Sequence, residues 1–201
     1  MNRSRLIHEI VFNDEDFAQK YAKHHQKMTE KFGYEYAQKL KSRGFQKGKM
    51  IDVGCGAGGT AVVLAKMFAD CEVVGIDLSE PLLKIAEGSN QAAQLGERIK
   101  FEKADVQQIP YPDNSFDVVI NLNMVHLVED PISMLNEMER ILKPDGFLFI
   151  ADLRRSWLGI IEKEIKSSLT LSEASELFKQ SSLREGVFSS SFLWWRFEVG
   201  E

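Results

Sequence analysis

The order of elements constrains this chain more than any single residue does. From Lys49 onward, short runs rich in apolar and β-branched residues alternate with helical segments. Such alternation builds a parallel sheet covered by helices on both faces. "KMIDV" (49–53) runs straight into a turn that holds Gly54, Gly56, Gly58 and Gly59, four glycines in six positions. "TAVVLAKMFA" (60–69) follows as a helix and "EVVGIDL" (72–78) as a strand. Ser79 caps the next helix, with Pro81 in its first turn, where a missing N–H costs nothing. "IKFEKAD" (99–105) alternates as a strand does, and "FDVVINL" (116–122) reads as a buried strand. A helix starts at Asp130-Pro131 and runs to Leu142; "KPDG" (143–146) is a turn and "FLFIADL" (147–153) another strand. Only ten residues, two of them proline, separate Asp105 from Phe116. That is too short for a crossover helix, so this connection is a loop or a single turn.

The flanks are less regular. From Asp14 to Arg43, Phe17, Tyr21, Met28, Phe32, Tyr36 and Leu40 recur at helical spacing, and Gly33 suggests a division into two helices. Residues 156–181 look mostly helical, "LTLSEASELFKQ" most clearly, and 186–200 reads as a closing pair of strands. The expected fold is α/β: a doubly wound, mainly parallel seven-stranded sheet of Rossmann-like type, its last strand antiparallel. We read one domain over 1–201, with a helical cap (1–45), a ligand-binding core (46–155), and C-terminal helices and closing strands (156–201).

Charge narrows the choice of partner. Residues 1–50 carry eleven Lys/Arg against six Asp/Glu, while the remainder carries fourteen against twenty-four. The acidic body argues against broad nucleic-acid binding, which needs a basic footprint. The basic front is either a solvated helix face or an attraction for an anionic ligand. The first twelve residues make a poor signal peptide, because His8 and Glu9 interrupt the apolar run. No stretch reaches the roughly 18–20 apolar residues of a membrane span, and Cys55 and Cys71 do not form a disulfide framework. A cytoplasmic, reduced setting with no membrane insertion is expected.

The glycine turn points to a ligand. A strand, a glycine-rich turn and a helix let a small molecule approach main-chain atoms. Gly54-x-Gly56-x-x-Gly59 alone also fits a dinucleotide, and so does Asp77, which ends the second strand 18 residues past Gly59 and can accept both hydroxyls of a ribose. Two more carboxylates shift the balance. Asp52 precedes the first glycine, where its charge suits an ammonium group. Asp105 ends the third strand, where it can accept a hydrogen bond from an adenine amino group. A ligand with an ammonium, a ribose and an adenine, and without phosphates, is S-adenosyl-L-methionine.

These segments resemble the class I S-adenosylmethionine-dependent methyltransferases of the small group called type 11. "IDVGCGAGGTAVVLA" resembles that family's first motif and "VVGIDLSEPLLKIA" its second. "KADVQQIPYPDNSFDVVINLNMVHLVED" resembles the third and fourth together, and "EMERILKPDGFLFIAD" the turn and strand beyond. The resemblance covers about Met50 to Asp152, half of the chain. It implies that Asp52, Gly54, Cys55, Gly56 and Ala57 line the methionine part of the cofactor. It further implies that Asp77 holds the ribose with Leu78 against the adenine, and that Asp105 and Val106 bind the adenine edge. Asn121 would approach the methionine amino group through its backbone, and Tyr21 would cover the cofactor from the N-terminal helix. His126 matches a histidine of many type 11 members and is the candidate catalytic residue, either as a proton acceptor or as a packed side chain with no proton role.

The implied reaction is methyl transfer to a small acceptor, leaving S-adenosyl-L-homocysteine. "NLNM" stands where methyltransferases of nucleobase or glutamine amines carry Asn/Asp-Pro-Pro-Tyr, which lowers the case for an exocyclic amine. No metal is expected, since His24 and His25 are adjacent and cannot form an i, i+4 pair. Trp194 and Trp195 alternate on a strand, one facing a core and the other solvent or a partner. The alternatives are an NAD-binding oxidoreductase and a non-catalytic S-adenosylmethionine-binding protein of the same fold. The acceptor atom and the oligomeric state stay open.

Overall fold

A computed structural model of the chain describes residues 13–155 and 168–200. Asp14 opens helix α1 (Glu15–Ser42) by accepting the Phe17 N–H at 2.7 Å. Glu15 and Asp16 lie in its first turn and Lys39 and Lys41 in its last, matching the helix dipole at both ends. β1 (Gly48–Val53), α2 (Gly59–Met67), β2 (Cys71–Asp77), α3 (Glu80–Ala93) and β3 (Ile99–Lys103) follow. Then come β4 (Phe116–Leu122), α4 (Pro131–Ile141), β5 (Leu142–Leu153), α5 (Leu171–Lys179), β6 (Val187–Ser190) and β7 (Trp194–Val199). Serine and aspartate cap as read: Ser79 Oγ accepts the Leu82 N–H, and Asp130 accepts those of Ile132 and Ser133. Thr170 and Glu173 form a reciprocal capping box on α5.

The seven strands form one sheet in the order β3-β2-β1-β4-β5-β7-β6. β1 to β5 pair in parallel, and β7 runs antiparallel between β5 and β6. Alternate side chains of each strand enter opposite layers. Ile51, Val119 and Ile150 pack toward α4 and α5. Met50, Val118 and Phe149 pack toward α1 and α2. The chain passes from β3 at one edge to β4 on the far side of β1, so strand order reverses between β1 and β4. Ligands in such sheets bind outside the carboxyl ends at this reversal.

Three local readings differ from expectation. Helix α1 does not divide at Gly33. A Cβ there would lie 2.8 Å from the Val63 Cβ, so the missing side chain serves close approach of α1 to α2, not a bend. "KPDG" lies within β5 rather than before it: the register jumps from Phe116↔Leu142 to Val118↔Phe147, and the extra residues bulge out. Both tryptophans are packed. Trp195 is fully buried in one layer, and Trp194 meets Phe32 edge-on, 4.8 Å between centroids, in the other.

The connection from β3 to β4 contains no helix, as its length demanded. Arg140 of α4 staples it, donating to the carbonyls of Ile109 and Tyr111 at 2.9 and 2.7 Å. Glu137 accepts the Ile109 N–H at 2.7 Å. Part of the basic front is committed to the fold as well, since Lys39 and Arg43 both pair with Glu198 of β7. The helical reading of 156–167 and the N-terminal residues 1–12 lie outside the described residues.

Candidate cofactor and acceptor site

The carboxyl ends of β3, β2, β1 and β4 carry Asp105, Asp77, Asp52 and Asn121 side by side. The turn after β1 is built from backbone. The N–H groups of Gly54 and Cys55 both donate to the Ile76 carbonyl at 2.9 Å, and Gly58 N–H donates to the Cys55 carbonyl. Gly54 and Gly58 each have φ +77°, a conformation that a Cβ disfavours. Gly59 instead allows close approach: a Cβ there would lie 2.1 Å from Thr29 Oγ1 of α1.

Asp77 braces this turn. One carboxylate oxygen accepts the Gly56 N–H at 2.8 Å, and the other accepts the Ser79 N–H at 2.9 Å. Burial raises its pKa, while those backbone donors work in the opposite sense. Asp52 is only 2% exposed. Among the described residues its Oδ2 has no hydrogen-bond partner. Burial and then the nearby Asp77 push its carboxyl up to about 7, against the pull of the Ala61 N–H at the start of α2. A buried carboxylate oxygen without a donor is costly. A cation above it removes that cost.

A cavity of about 730 Å³ opens over the turn, between α1, α2 and α3. Of the residues singled out from sequence, Tyr21, Gly54, Cys55, Gly56 and Ala57 line it. Asp52, Asp77, Leu78, Asp105, Val106 and Asn121 do not; Asp52 and Asn121 are buried at the ends of β1 and β4, and the others continue along the ends of β2 and β3. Leu78 is 45% exposed beside the buried Asp77, and Asp105 is half-buried above Val106. Asn121 is fully buried, and its Nδ2 donates to the Val53 carbonyl at 2.7 Å. Its side chain therefore ties β4 to β1 through Nδ2, while Oδ1 has no hydrogen-bond partner among the described residues. Cys55 is a packing residue: burial and the neighbouring Asp77 and Asp52 hold its thiol well above the ordinary range.

His126 is not on the cavity wall. Its ring is buried, with Nδ1 2.6 Å from Asp152 Oδ1, and its backbone N–H donates to Asp152 Oδ2 at 2.9 Å. The carboxylate only accepts, so Nδ1 carries the proton. Asp152, at the end of β5, thus clamps the turn after β4. Of the wall residues not singled out as ligand contacts, two bear on the site's chemistry. His25 lies one turn beyond Tyr21 on α1, its ring 4.0 Å from the tyrosine ring. Asn123 sits at φ +58°, its N–H donating to the Ala151 carbonyl. The signal for His25 is its i, i+4 spacing from Tyr21; for Asn123 it is the tolerance of asparagine for a left-handed turn after a strand.

The methyltransferase-domain family model matches residues 51–150, from within β1 to within β5, the span that carries these strand ends. The chain belongs to that family of S-adenosylmethionine-dependent methyltransferases. Ajmaline N-methyltransferase of Rauvolfia serpentina is 37% identical over 117 residues, 58% of this chain and 40% of that one. The 27-O-demethylrifamycin SV methyltransferase of Amycolatopsis mediterranei is 36% identical over 104 residues, 52% of this chain and 38% of that one. The chain thus spans about two fifths of the length of these curated relatives. The crystal structure of an S-adenosylmethionine-dependent methyltransferase from Aquifex aeolicus superposes with a TM-score of 0.69 at 23% identity, over 80% of this chain and 86% of that one. The family span ends within β5, so α1, α5 and the β6–β7 pair lie beyond it. Among the described residues no helix is long and apolar enough to cross a membrane.

Proposed function

We propose that this chain transfers a methyl group from S-adenosyl-L-methionine to a small-molecule acceptor by in-line displacement. The observation that carries the reading is the buried Asp52 Oδ2, which has no donor among the described residues and sits under the glycine turn at the strand-order reversal. A pyrophosphate there would face a carboxylate. The ammonium of a methionine moiety would complete it, which favours this donor over NAD. Asp77 would hold the ribose with Leu78 against the adenine, Asp105 and Val106 would meet the adenine edge, and the Asn121 main chain and Tyr21 would complete the enclosure.

When bound, S-adenosylmethionine supplies a methyl group on a sulfonium, an excellent leaving group. The contribution of the chain is orientation and exclusion of water. Tyr21 and His25 on α1 cover the turn, while Leu122 and Asn123 form the wall opposite. His126, buried and held by Asp152, is read as a strut for this wall and not as a base. The acceptor would enter between α1, the turn after Leu122 and the segment after Asp152. Two relatives are named for N- and O-methylation, so family membership leaves the acceptor atom open.

The test is calorimetry with S-adenosyl-L-homocysteine and with NAD, followed by turnover of methyl-labelled cofactor against a panel of small amines, hydroxyls and thiols. Homocysteine-adduct binding with label transfer is expected. Binding of NAD alone would overturn the reading, and tight binding with no transfer to any acceptor would favour a non-catalytic role.

A further inference from the structure

We propose that Gln107 is a positioning residue for adenine recognition: it holds the Asp105 carboxylate in place and ties it to the segment that carries the far wall of the site. The proposal rests on the reading above that Asp105 accepts the adenine amino group. Asp105 Oδ1 accepts the Gln107 backbone N–H at 2.8 Å, and Gln107 Nε2 reaches Oδ1 at 3.2 Å and Oδ2 at 3.4 Å. The other end of the same amide, Oε1, accepts the Asp130 N–H at 2.8 Å. A backbone N–H can only donate, so Oε1 must face Asp130 and the NH₂ must face Asp105; the orientation of the amide is settled by its partners. Asp130 is itself fixed, as the N-cap of α4, by bonds to Ile132 and Ser133.

The consequence is chemical. A carboxylate offers about four lone-pair directions, and Gln107 fills some while leaving the group anionic and unable to donate. A base with an amino group at position 6 matches what remains. A base with a carbonyl oxygen there sets acceptor against acceptor. Gln107 would thus sharpen the choice of adenine without touching it, and would join that choice to the segment from Leu122 to Asp130.

The experiment compares binding of S-adenosyl-L-homocysteine and S-inosyl-L-homocysteine by calorimetry, for the wild type and for Gln107→Leu, Gln107→Glu and Asp105→Ala. Wild type should prefer the adenosyl compound, and Asp105→Ala should erase that preference. Gln107→Leu should lower the adenosyl/inosyl ratio about tenfold, on the scale of one lost hydrogen bond to a charged group, with little change for the inosyl ligand. Gln107→Glu keeps an acceptor for the Asp130 N–H but replaces the amide donor to Asp105 with a second carboxylate, which repels it. It should lose the preference even where Gln107→Leu folds poorly. A wild-type ratio in Gln107→Glu, with the ratio erased in Asp105→Ala, would overturn the role of Gln107 and leave the adenine reading standing. An unchanged ratio in Asp105→Ala would overturn the adenine reading itself.

Discussion

At the scale of single residues, the most informative group is Asp52. Its burial without a donor for Oδ2 raises its carboxyl to about 7, well above the ordinary value of an aspartate. A folded-state pKa above the unfolded one means that the folded chain holds its proton more tightly. The corresponding stability is fully present below about pH 4 and is lost as pH rises toward and through 7. Ligand binding runs the other way, because an ammonium needs the ionised carboxylate. Asp52→Asn should therefore melt higher than wild type at pH 8, by roughly 1–3 kcal/mol of unfolding free energy. The same variant should bind S-adenosyl-L-homocysteine at least tenfold more weakly. In the wild type, affinity should fall as pH drops from 8 to 6, and in the variant that slope should flatten; parallel slopes would separate Asp52 from the ligand. Asp77 needs a gentler probe, because it also braces Gly56 and Ser79. Asp77→Asn keeps one acceptor for the turn and should weaken binding by about 1–3 kcal/mol with a small loss in melting temperature, whereas unchanged affinity would remove the ribose from this strand end. Asp52, Asp77 and Asp105 were legible because each ends a strand just beside a sequence break. His25 carried a fainter signal, its i, i+4 spacing from Tyr21, which puts both on the helix face that lines the cavity.

At the scale of elements, the strands and caps were legible wherever one local rule decided them. Ser79, Asp130 and the prolines after them mark helix starts through satisfied N–H groups. Gly33 shows where that logic stops. As a sequence feature it weakens a helix, and only the position of Val63 shows that it is a contact. The two effects predict opposite outcomes for Gly33→Ala. Propensity alone would stabilise the variant by about 1 kcal/mol. Overlap of the new methyl with the Val63 Cβ, at 2.8 Å, should destabilise it by about 1–3 kcal/mol, and in a packed interface the steric effect should win. A urea melt decides. A Gly33→Ala chain more stable than wild type would show that α1 can move off α2 at little cost, and that the wall carrying Tyr21 and His25 is not rigid. His126 was singled out for its match to a histidine of the fourth motif, and the structure adds its partnership with Asp152 at the end of β5.

For the whole molecule, the alternation of runs sufficed for the doubly wound sheet, but the order β3-β2-β1-β4 is what makes one ligand span it. No strand end alone distinguishes a dinucleotide from an adenosyl sulfonium; the proposed reading rests on the succession Asp105, Asp77, Asp52 along adjacent ends. The acceptor remained illegible because the segments proposed to shape its pocket, α1 among them, lie outside the span that the family model matches. A ligand that bridges four strand ends and is covered by α1 should stabilise the folded chain as a unit. At a hundredfold excess over its dissociation constant, S-adenosyl-L-homocysteine should add about 2.7 kcal/mol. For a chain of this size that is a rise of roughly 5–10 °C in melting temperature. NAD at the same concentration should produce no shift, because its pyrophosphate meets Asp52. Cutting the ligand should cut the effect: adenosine engages only the ends of β2 and β3 and should stabilise by well under half, and methionine alone hardly at all. If adenosine at saturation matched the full ligand, the glycine turn and Asp52 would contribute nothing to binding, and the ammonium would have to be moved elsewhere in the site.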